Sequence, residues 1–243
     1  MLNLRIFYDA ACFLPVFGGL LLSLLLPLNA LADVLPEQSL IAERLQQVRQ
    51  QSFPELKGTS IQIGRFDESD SFFQSWLDPG QLIQGKWIYQ IDVNQRFLEL
   101  DCPVAALDAV LAHELSHTLD YHRGGIGGIL AILWQLLWQP AVYERRTDLQ
   151  AIARGYGPGL ILYRQCQYQA LTPEQVQGKK LKYYSPEEMT LILDILDLLD
   201  APAKQEQIKL WLQNPPLNLE QISQMPLEPE REVEDLDLSQ TML

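Results

Sequence analysis

Two histidines and a glutamate stand in the order HExxH at His113, Glu114 and His117. The surrounding sequence predicts a helix, and residues four apart lie on one face of a helix, so both imidazoles can bind one ion. Glu114 is rotated by about 100° from His113 on that helix, which directs its carboxylate beside the ion, to a metal-bound water. The spacing therefore predicts a zinc site with two imidazole ligands and Glu114 as general base.

A third ligand is expected from a second helix, which Pro140 opens. Glu144 and Asp148 are four residues apart and share one face of that helix. Glu144 is the predicted ligand, and Asp148 is predicted to accept the N–H of a ligand histidine. The rival ligand His122 faces away from His113, because nine steps of about 100° make two and a half turns. The purely structural alternatives are a pair of core histidines and an ordinary charged surface helix.

The elements that must position these residues follow from turn signals and periodicity. The HExxH motif lies in a predicted helix over 104–122, which begins at Asp101-Cys102-Pro103 and ends at Gly124-Gly125. Ser185-Pro186-Glu187-Glu188 is a capping box that begins a later helix. The full set of other predicted helices covers 36–51, 140–155, 160–170, 185–200 and 203–213.

A small antiparallel sheet is predicted ahead of the HExxH helix. Alternating apolar residues indicate strands over 60–65 and 86–93, and Asn94-Gln95 indicates a turn into a third strand over 96–100. The segment 67–80 is predicted to be a loop. The predicted fold class is therefore α+β and mostly helical, with the sheet followed by the active-site helix and a helical C-terminal part.

The apolar segment 126–138 follows the HExxH helix and has Gln135 as its single polar side chain. It is shorter than the about 20 residues that cross a bilayer. The favoured interpretation is a helix buried against the active-site helix. The alternative is a hydrophobic flap that makes contact with a membrane surface.

Composition sets the class of protein. The chain has 243 residues, 47% of them hydrophobic, and a net charge of −13. These values exclude a wholly disordered, collagen-like or multi-pass membrane protein, and a chain this acidic is a poor nucleic-acid binder. Two cysteines follow the N-terminal region, Cys102 and Cys166. Two buried free thiols are the favoured interpretation, and one bridge is the alternative.

The N-terminal sequence predicts a cleaved signal peptide, and the C-terminal sequence predicts a disordered tail. Residues 1–32 resemble a signal peptide, with Arg5, an apolar run over 11–28 and an A-x-A cleavage pattern ending at Ala32. The domain is predicted over 33–225 and an acidic disordered tail over 226–243. The expected location is periplasmic or secreted, and an uncleaved membrane anchor is the alternative.

The HELSH motif followed by Glu144-Arg145-Arg146-Thr147-Asp148 resembles the HExxH…ExxxD pattern of the gluzincin clan of zinc metallopeptidases, especially its M48-like branch. Leu119-Asp120 after the motif also resembles the MtfA-like group of zinc peptidases, so the subfamily stays open. The resemblance implies one Zn²⁺ per chain on His113, His117 and Glu144, catalysis by Glu114, and a peptide or protein substrate in a groove along an edge strand. Many gluzincins steady the oxyanion with a downstream His or Tyr. No histidine follows His122, so an arginine or one of five tyrosines must serve: Tyr143, Tyr156, Tyr163, Tyr183 or Tyr184.

The sequence thus predicts a zinc-dependent peptidase that works outside the cytoplasm. Two alternatives keep the same fold. The first is a non-catalytic zinc-binding scaffold. The second is a membrane-associated assembly or quality-control factor that uses 126–138 and the C-terminal helices for interactions.

Overall fold

The computed structural model describes residues 36–82 and 84–224, and within them the chain is mostly helical with one small sheet. The predicted signal peptide over 1–32 and acidic tail over 226–243 lie outside these residues. The helices are α1 (Pro36–Ser52), α2 (Pro79–Leu82), α3 (Gln95–Leu98), α4 (Val104–Trp138), α5 (Pro140–Ala153), α6 (Gly157–Gln169), α7 (Pro173–Lys182), α8 (Pro186–Leu198), α9 (Ala201–Gln213) and α10 (Leu219–Ser223). The strands are β1 (Ser60–Phe66), β2 (Phe73–Leu77) and β3 (Ile88–Asn94). The coarse prediction of a mostly helical α+β fold is confirmed.

The sheet is mixed, so the antiparallel prediction is wrong. Its order is β1-β3-β2, with β1 parallel and β2 antiparallel to the central strand β3. The third strand, β2, lies within the predicted loop over 67–80. One of its buried positions is the polar Ser75, so the sequence of β2 lacks the apolar alternation that predicts a strand. The predicted strand over 96–100 is largely the short helix α3, because the Asn94 side chain accepts a hydrogen bond from the Arg96 backbone N–H and caps a helical turn.

The first part of α4, over 104–124, lies at the centre of the core. It packs against α1, α5, α6 and β2, and Leu111, Leu115 and Leu119 on it are fully buried. Helix α6 approaches α4 so closely at Gly159 that an added Cβ would lie 2.4 Å from the Ala105 carbonyl oxygen. The core therefore fixes the position of the HExxH segment.

A disulfide joins Cys102, just before α4, to Cys166 in α6. The favoured prediction of free thiols is therefore wrong. The two Cα atoms lie 5.9 Å apart, a separation ordinary for a disulfide. The packing of α6 on α4 creates this proximity across 64 residues of sequence, which no local pattern encodes.

Helix α4 changes direction at Gly125, where the backbone has φ 55° and ψ −159°. The predicted break at Gly124-Gly125 is confirmed. We call residues 126–138, which follow the break, the apolar arm. The prediction that this segment is buried is wrong, because five of its nine large apolar side chains are exposed, three are half-buried and Ile132 alone is buried.

Two helices after the arm, α5 and α8, begin where the sequence predicted. Helix α5 begins at Pro140, and α8 begins with the capping box of Ser185 and Glu188. Sequence reasoning missed α7, although Thr172 and Gln175 form a second capping box there. It also missed the short helix α10. Among the described residues no single helix is long and apolar enough to cross a membrane, whereas α4 and α5, bent by 118°, meet that requirement as a pair.

Candidate metal centre

Three side chains from α4 and α5 converge on one point. His113 Nε2 and His117 Nε2 lie 3.2 Å apart. Glu144 Oε2 lies 3.4 Å from the first nitrogen and 3.3 Å from the second. A tetrahedral ion with bonds of about 2.1 Å separates its ligand atoms by about 3.4 Å. His113, His117 and Glu144 therefore form a buried group that can hold a metal ion.

Hydrogen bonds on the far side of each imidazole orient the ligand nitrogens. Asp148 Oδ1 lies 2.8 Å from His113 Nδ1. An ionised carboxylate only accepts, so this Nδ1 carries the hydrogen and the Nε2 lone pair points to the ligand cluster. His117 Nδ1 lies 3.0 Å from the Tyr143 hydroxyl, and this contact holds the second ring in place.

The cluster attracts positive charge. Burial alone raises the pKa of Glu144, but the neighbouring His117 and His113 outweigh it and hold that pKa well below its usual range. Burial alone lowers the pKa of His113, but the Asp148 and Glu144 carboxylates outweigh it and raise the pKa to about 10. Both shifts show that the carboxylates and imidazoles of the cluster stabilise positive charge there.

Unpartnered oxygens support the same conclusion. Glu114 Oε2 and Glu144 Oε2 are buried and have no hydrogen-bond partner among the described residues. Buried polar atoms in proteins are nearly always satisfied. Glu144 Oε2 completes an N,N,O set with the two imidazoles that can hold a metal ion, and Glu114 Oε2 is a second unpartnered oxygen next to it.

Glu114 lies beside the cluster with a different environment from Glu144. Burial is the largest influence on its carboxyl and raises the pKa, although His117 and His113 act in the opposite direction. A raised pKa makes this carboxylate a better proton acceptor near neutral pH. The pKa values of the two buried glutamates are therefore shifted in opposite directions.

Asp148 is held by a residue that sequence reasoning missed. Its Oδ1 also accepts a hydrogen bond from Arg164 Nη2 at 3.2 Å, and its Oδ2 accepts one from the Tyr184 backbone N–H at 3.2 Å. Burial raises the pKa of Asp148, but the Arg164 charge and His113 lower it overall. Arg164 stands on α6 without any neighbouring motif, so its role depends on tertiary packing.

The rival ligand His122 lies away from the cluster. It is exposed, and its Nδ1 lies 3.1 Å from the Tyr89 hydroxyl. The helical rotation that placed it opposite His113 therefore matches the structure.

The five candidate tyrosines differ in what they contact. Tyr143 contacts His117, the Tyr156 hydroxyl lies 2.8 Å from Ser52 Oγ, and the Tyr184 ring packs under Arg145. Tyr163 receives a hydrogen bond from Gln167. Two candidates lie beside the ligand cluster. The Tyr143 ring stacks on His117 with centroids 5.1 Å apart and has its hydroxyl at Nδ1, whereas the Tyr183 ring centroid lies 6.0 Å from that of His113.

Strand β2 is an edge strand of the sheet and packs against α4. Ser75 Oγ lies 3.0 Å from Thr118 Oγ1, one residue after His117, and the Tyr121 hydroxyl donates to the Ser75 carbonyl at 3.3 Å. An edge strand thus lies directly beside the candidate metal centre.

Comparison of the chain with protein-family models, with curated proteins and with solved structures finds no match.

Proposed function

We propose that this chain is a zinc-dependent peptidase of the gluzincin type. The observation that carries the proposal is the triangle of His113 Nε2, His117 Nε2 and Glu144 Oε2, with sides of 3.2 to 3.4 Å. A three-ligand site leaves one coordination position open, as catalytic zinc sites do. Zn²⁺ is favoured over harder ions because two of the three ligands are imidazoles.

The remaining roles are assigned to residues around the triangle. A bound Zn²⁺ supplies a Lewis acid that polarises a carbonyl and lowers the pKa of water. Glu114 accepts a proton at its unpartnered Oε2 and returns it to the leaving amine. Asp148, fixed by Arg164, keeps the hydrogen on His113 Nδ1. Tyr183 is the proposed donor to the substrate oxyanion, and strand β2 the proposed edge for the peptide.

Export from the cytoplasm is part of the proposal. The disulfide between Cys102 and Cys166 supports it, since structural disulfides are typical of oxidising compartments. The mature chain is then expected to begin at Asp33, and N-terminal sequencing of the exported protein tests this. An exported chain that still begins at Met1 would favour the anchored form.

A non-catalytic zinc scaffold is the second candidate. The observation that favours it is burial, because His113, His117, Glu144 and Glu114 are only 0 to 4% exposed. A closed structural site excludes substrate, whereas a catalytic one must admit a peptide.

Metal content and hydrolysis separate the two candidates. We expect about one zinc per full-length chain by plasma mass spectrometry, and cleavage of unfolded, fluorescently labelled casein. Glu114→Gln should keep the zinc and lose cleavage, because Glu114 is a base and not a ligand. Exposed Glu99→Gln is the matched control and should change neither. Cleavage that survives Glu114→Gln would contradict the mechanism, and a zinc-loaded chain without cleavage would favour the scaffold.

A further inference from the structure

The apolar arm presents one continuous hydrophobic face to solvent. Its outward side chains are 44 to 68% exposed and recur at helical spacing: Ile126, Leu130, Trp134, Leu137 and Trp138. The two tryptophans are in contact, with ring centroids 5.5 Å apart. Exposed large apolar side chains scattered singly are ordinary, but a contiguous stripe of this kind marks an interaction surface.

The opposite face of the arm is fixed to the protein. Ile132 is buried, and Gln135 Oε1 accepts a hydrogen bond from Arg146 Nη2 of α5 at 3.1 Å. The polar side of the arm is therefore directed inward, and the outward direction of the stripe is set by packing.

The charge pattern identifies the partner chemistry. Residues 124–143 contain no Asp, Glu, Lys or Arg, in a chain whose net charge is −13. Arg123, at the base of the arm, is paired with Glu55. Leucine and tryptophan on one face are the side chains that an interfacial helix places between headgroups and acyl chains, and tryptophan is enriched at membrane–water interfaces.

A second copy of the chain fits the stripe less well. The arm has 13 residues, so it is about 20 Å long and would cover on the order of 400 Å² per copy, against about 800 Å² in a stable complex. Two chains of charge −13 also repel each other.

The arm is placed to lie on a bilayer and not to cross it. Its 13 residues are fewer than the about 20 that span the hydrocarbon core. The next helix, α5, cannot complete a span, because it buries Glu144 and Asp148 in the metal centre. The apolar run over 11–28, ahead of the described residues, is predicted to bring the chain to a membrane during export.

We propose that the apolar arm docks the domain on the surface of a lipid bilayer, with Trp134 and Trp138 at the boundary of headgroups and acyl chains. Docking depends on apolar area and needs no anionic lipid. Because the arm continues the helix that carries His113 and His117, docking also fixes the orientation of the metal centre relative to the bilayer. The inference does not depend on peptidase activity.

Tryptophan quenching locates the arm directly. Full-length protein is mixed with phosphatidylcholine vesicles whose acyl chains carry bromine, which quenches only tryptophans near the hydrocarbon. We expect quenching in the wild type and its loss in Trp134→Phe/Trp138→Phe, whereas Trp87→Phe, at another exposed site, should keep it. Quenching reports the position of the arm even if another segment holds the chain on the vesicle. Unquenched wild type, or quenching unchanged in the double variant, would overturn the proposal.

Vesicle flotation measures the strength of docking. Leu130→Ser/Trp134→Ser/Trp138→Ser should weaken binding of the mature chain to phosphatidylcholine by at least about tenfold, since it removes most of the buried apolar area. Leu181→Ser/Leu198→Ser is the matched control, because both leucines are 75% exposed elsewhere, and should change binding less than about twofold. Binding that requires phosphatidylglycerol, or a concentration-dependent dimer abolished by the triple variant without vesicle binding, would overturn the proposal.

Discussion

The two parts of α4 have similar apolar composition and opposite surroundings. The first part, over 104–124, is enclosed by α1, α5, α6 and β2, and even its polar His113, Glu114 and His117 are buried. The apolar arm, over 126–138, exposes most of its large apolar side chains. Hydrophobicity therefore does not decide burial along this helix. The neighbours that cover each part decide it.

The difference suits each part to a different kind of contact. In the first part, partners on α5 and α6 compensate the buried polar groups, through the contacts of Asp148 and Arg164. In the arm, the face opposite Ile132 and Gln135 has no partner among the described residues. The first part can therefore hold an ion in a fixed geometry, and the arm is free for an external surface.

The largest expected contrast is in stability. Leu115→Ala, at a fully buried site in the first part, should lower the free energy of unfolding by about 2–5 kcal/mol, because it leaves a cavity. Leu130→Ala, at a site 64% exposed in the arm, should stay within about 0.5 kcal/mol. Urea unfolding of both variants measures the difference. Equal destabilisation would show that the arm is packed.

The loss of zinc affinity should be largest when a ligand is replaced and smaller when the replaced residue lies farther from the ligand atoms. Glu144→Ala should weaken zinc binding by more than about 100-fold, and Asp148→Ala by about 10–100-fold, because Asp148 acts through His113. His122→Ala should stay within a few-fold, since His122 contacts Tyr89. A chelator competition titration gives all three values. A His122 effect as large as that of His117→Ala, with normal binding in Glu144→Ala, would contradict the proposed ligand set.

Zinc affinity should also rise with pH. In the metal-free protein the pKa of His113 is raised to about 10, so below that pH a proton must leave before the metal binds. Affinity should therefore increase by about tenfold per pH unit between about pH 6 and 9. Asp148→Asn removes a carboxylate that raises the pKa of His113. In this variant the increase of zinc affinity with pH should therefore end at a lower pH than in the wild type. Affinity independent of pH in the wild type would contradict the raised pKa of His113.

The smallest expected effect is at the junction. Gly125 has φ 55° and ψ −159°, a conformation that L-residues rarely adopt. Gly125→Ala should cost about 1–2 kcal/mol of stability, whereas Gly124→Ala, at a site without positive φ, should cost less than about 0.5 kcal/mol. Thermal unfolding of the pair measures this. Equal midpoints would mean that the arm leaves α4 without strain at Gly125.

The sequence by itself determined the features that depend on near neighbours along the chain. The four-residue spacings of HExxH and of Glu144 with Asp148 follow from helical geometry, and so does the outward position of His122. The start of α5 at Pro140, the cap at Ser185 and the break at Gly124-Gly125 depend on one or two residues each. Such local preferences act before any tertiary contact forms.

Tertiary structure alone decided which segments lie against which. The parallel pairing of β1 with β3, the strand β2, the disulfide of Cys102 with Cys166, and the place of Arg164 against Asp148 all join residues far apart in sequence. Apolar periodicity in the sequence shows only which face of an element is hydrophobic. Whether protein covers it depends on where the other elements pack, and for the apolar arm the described residues leave that face open.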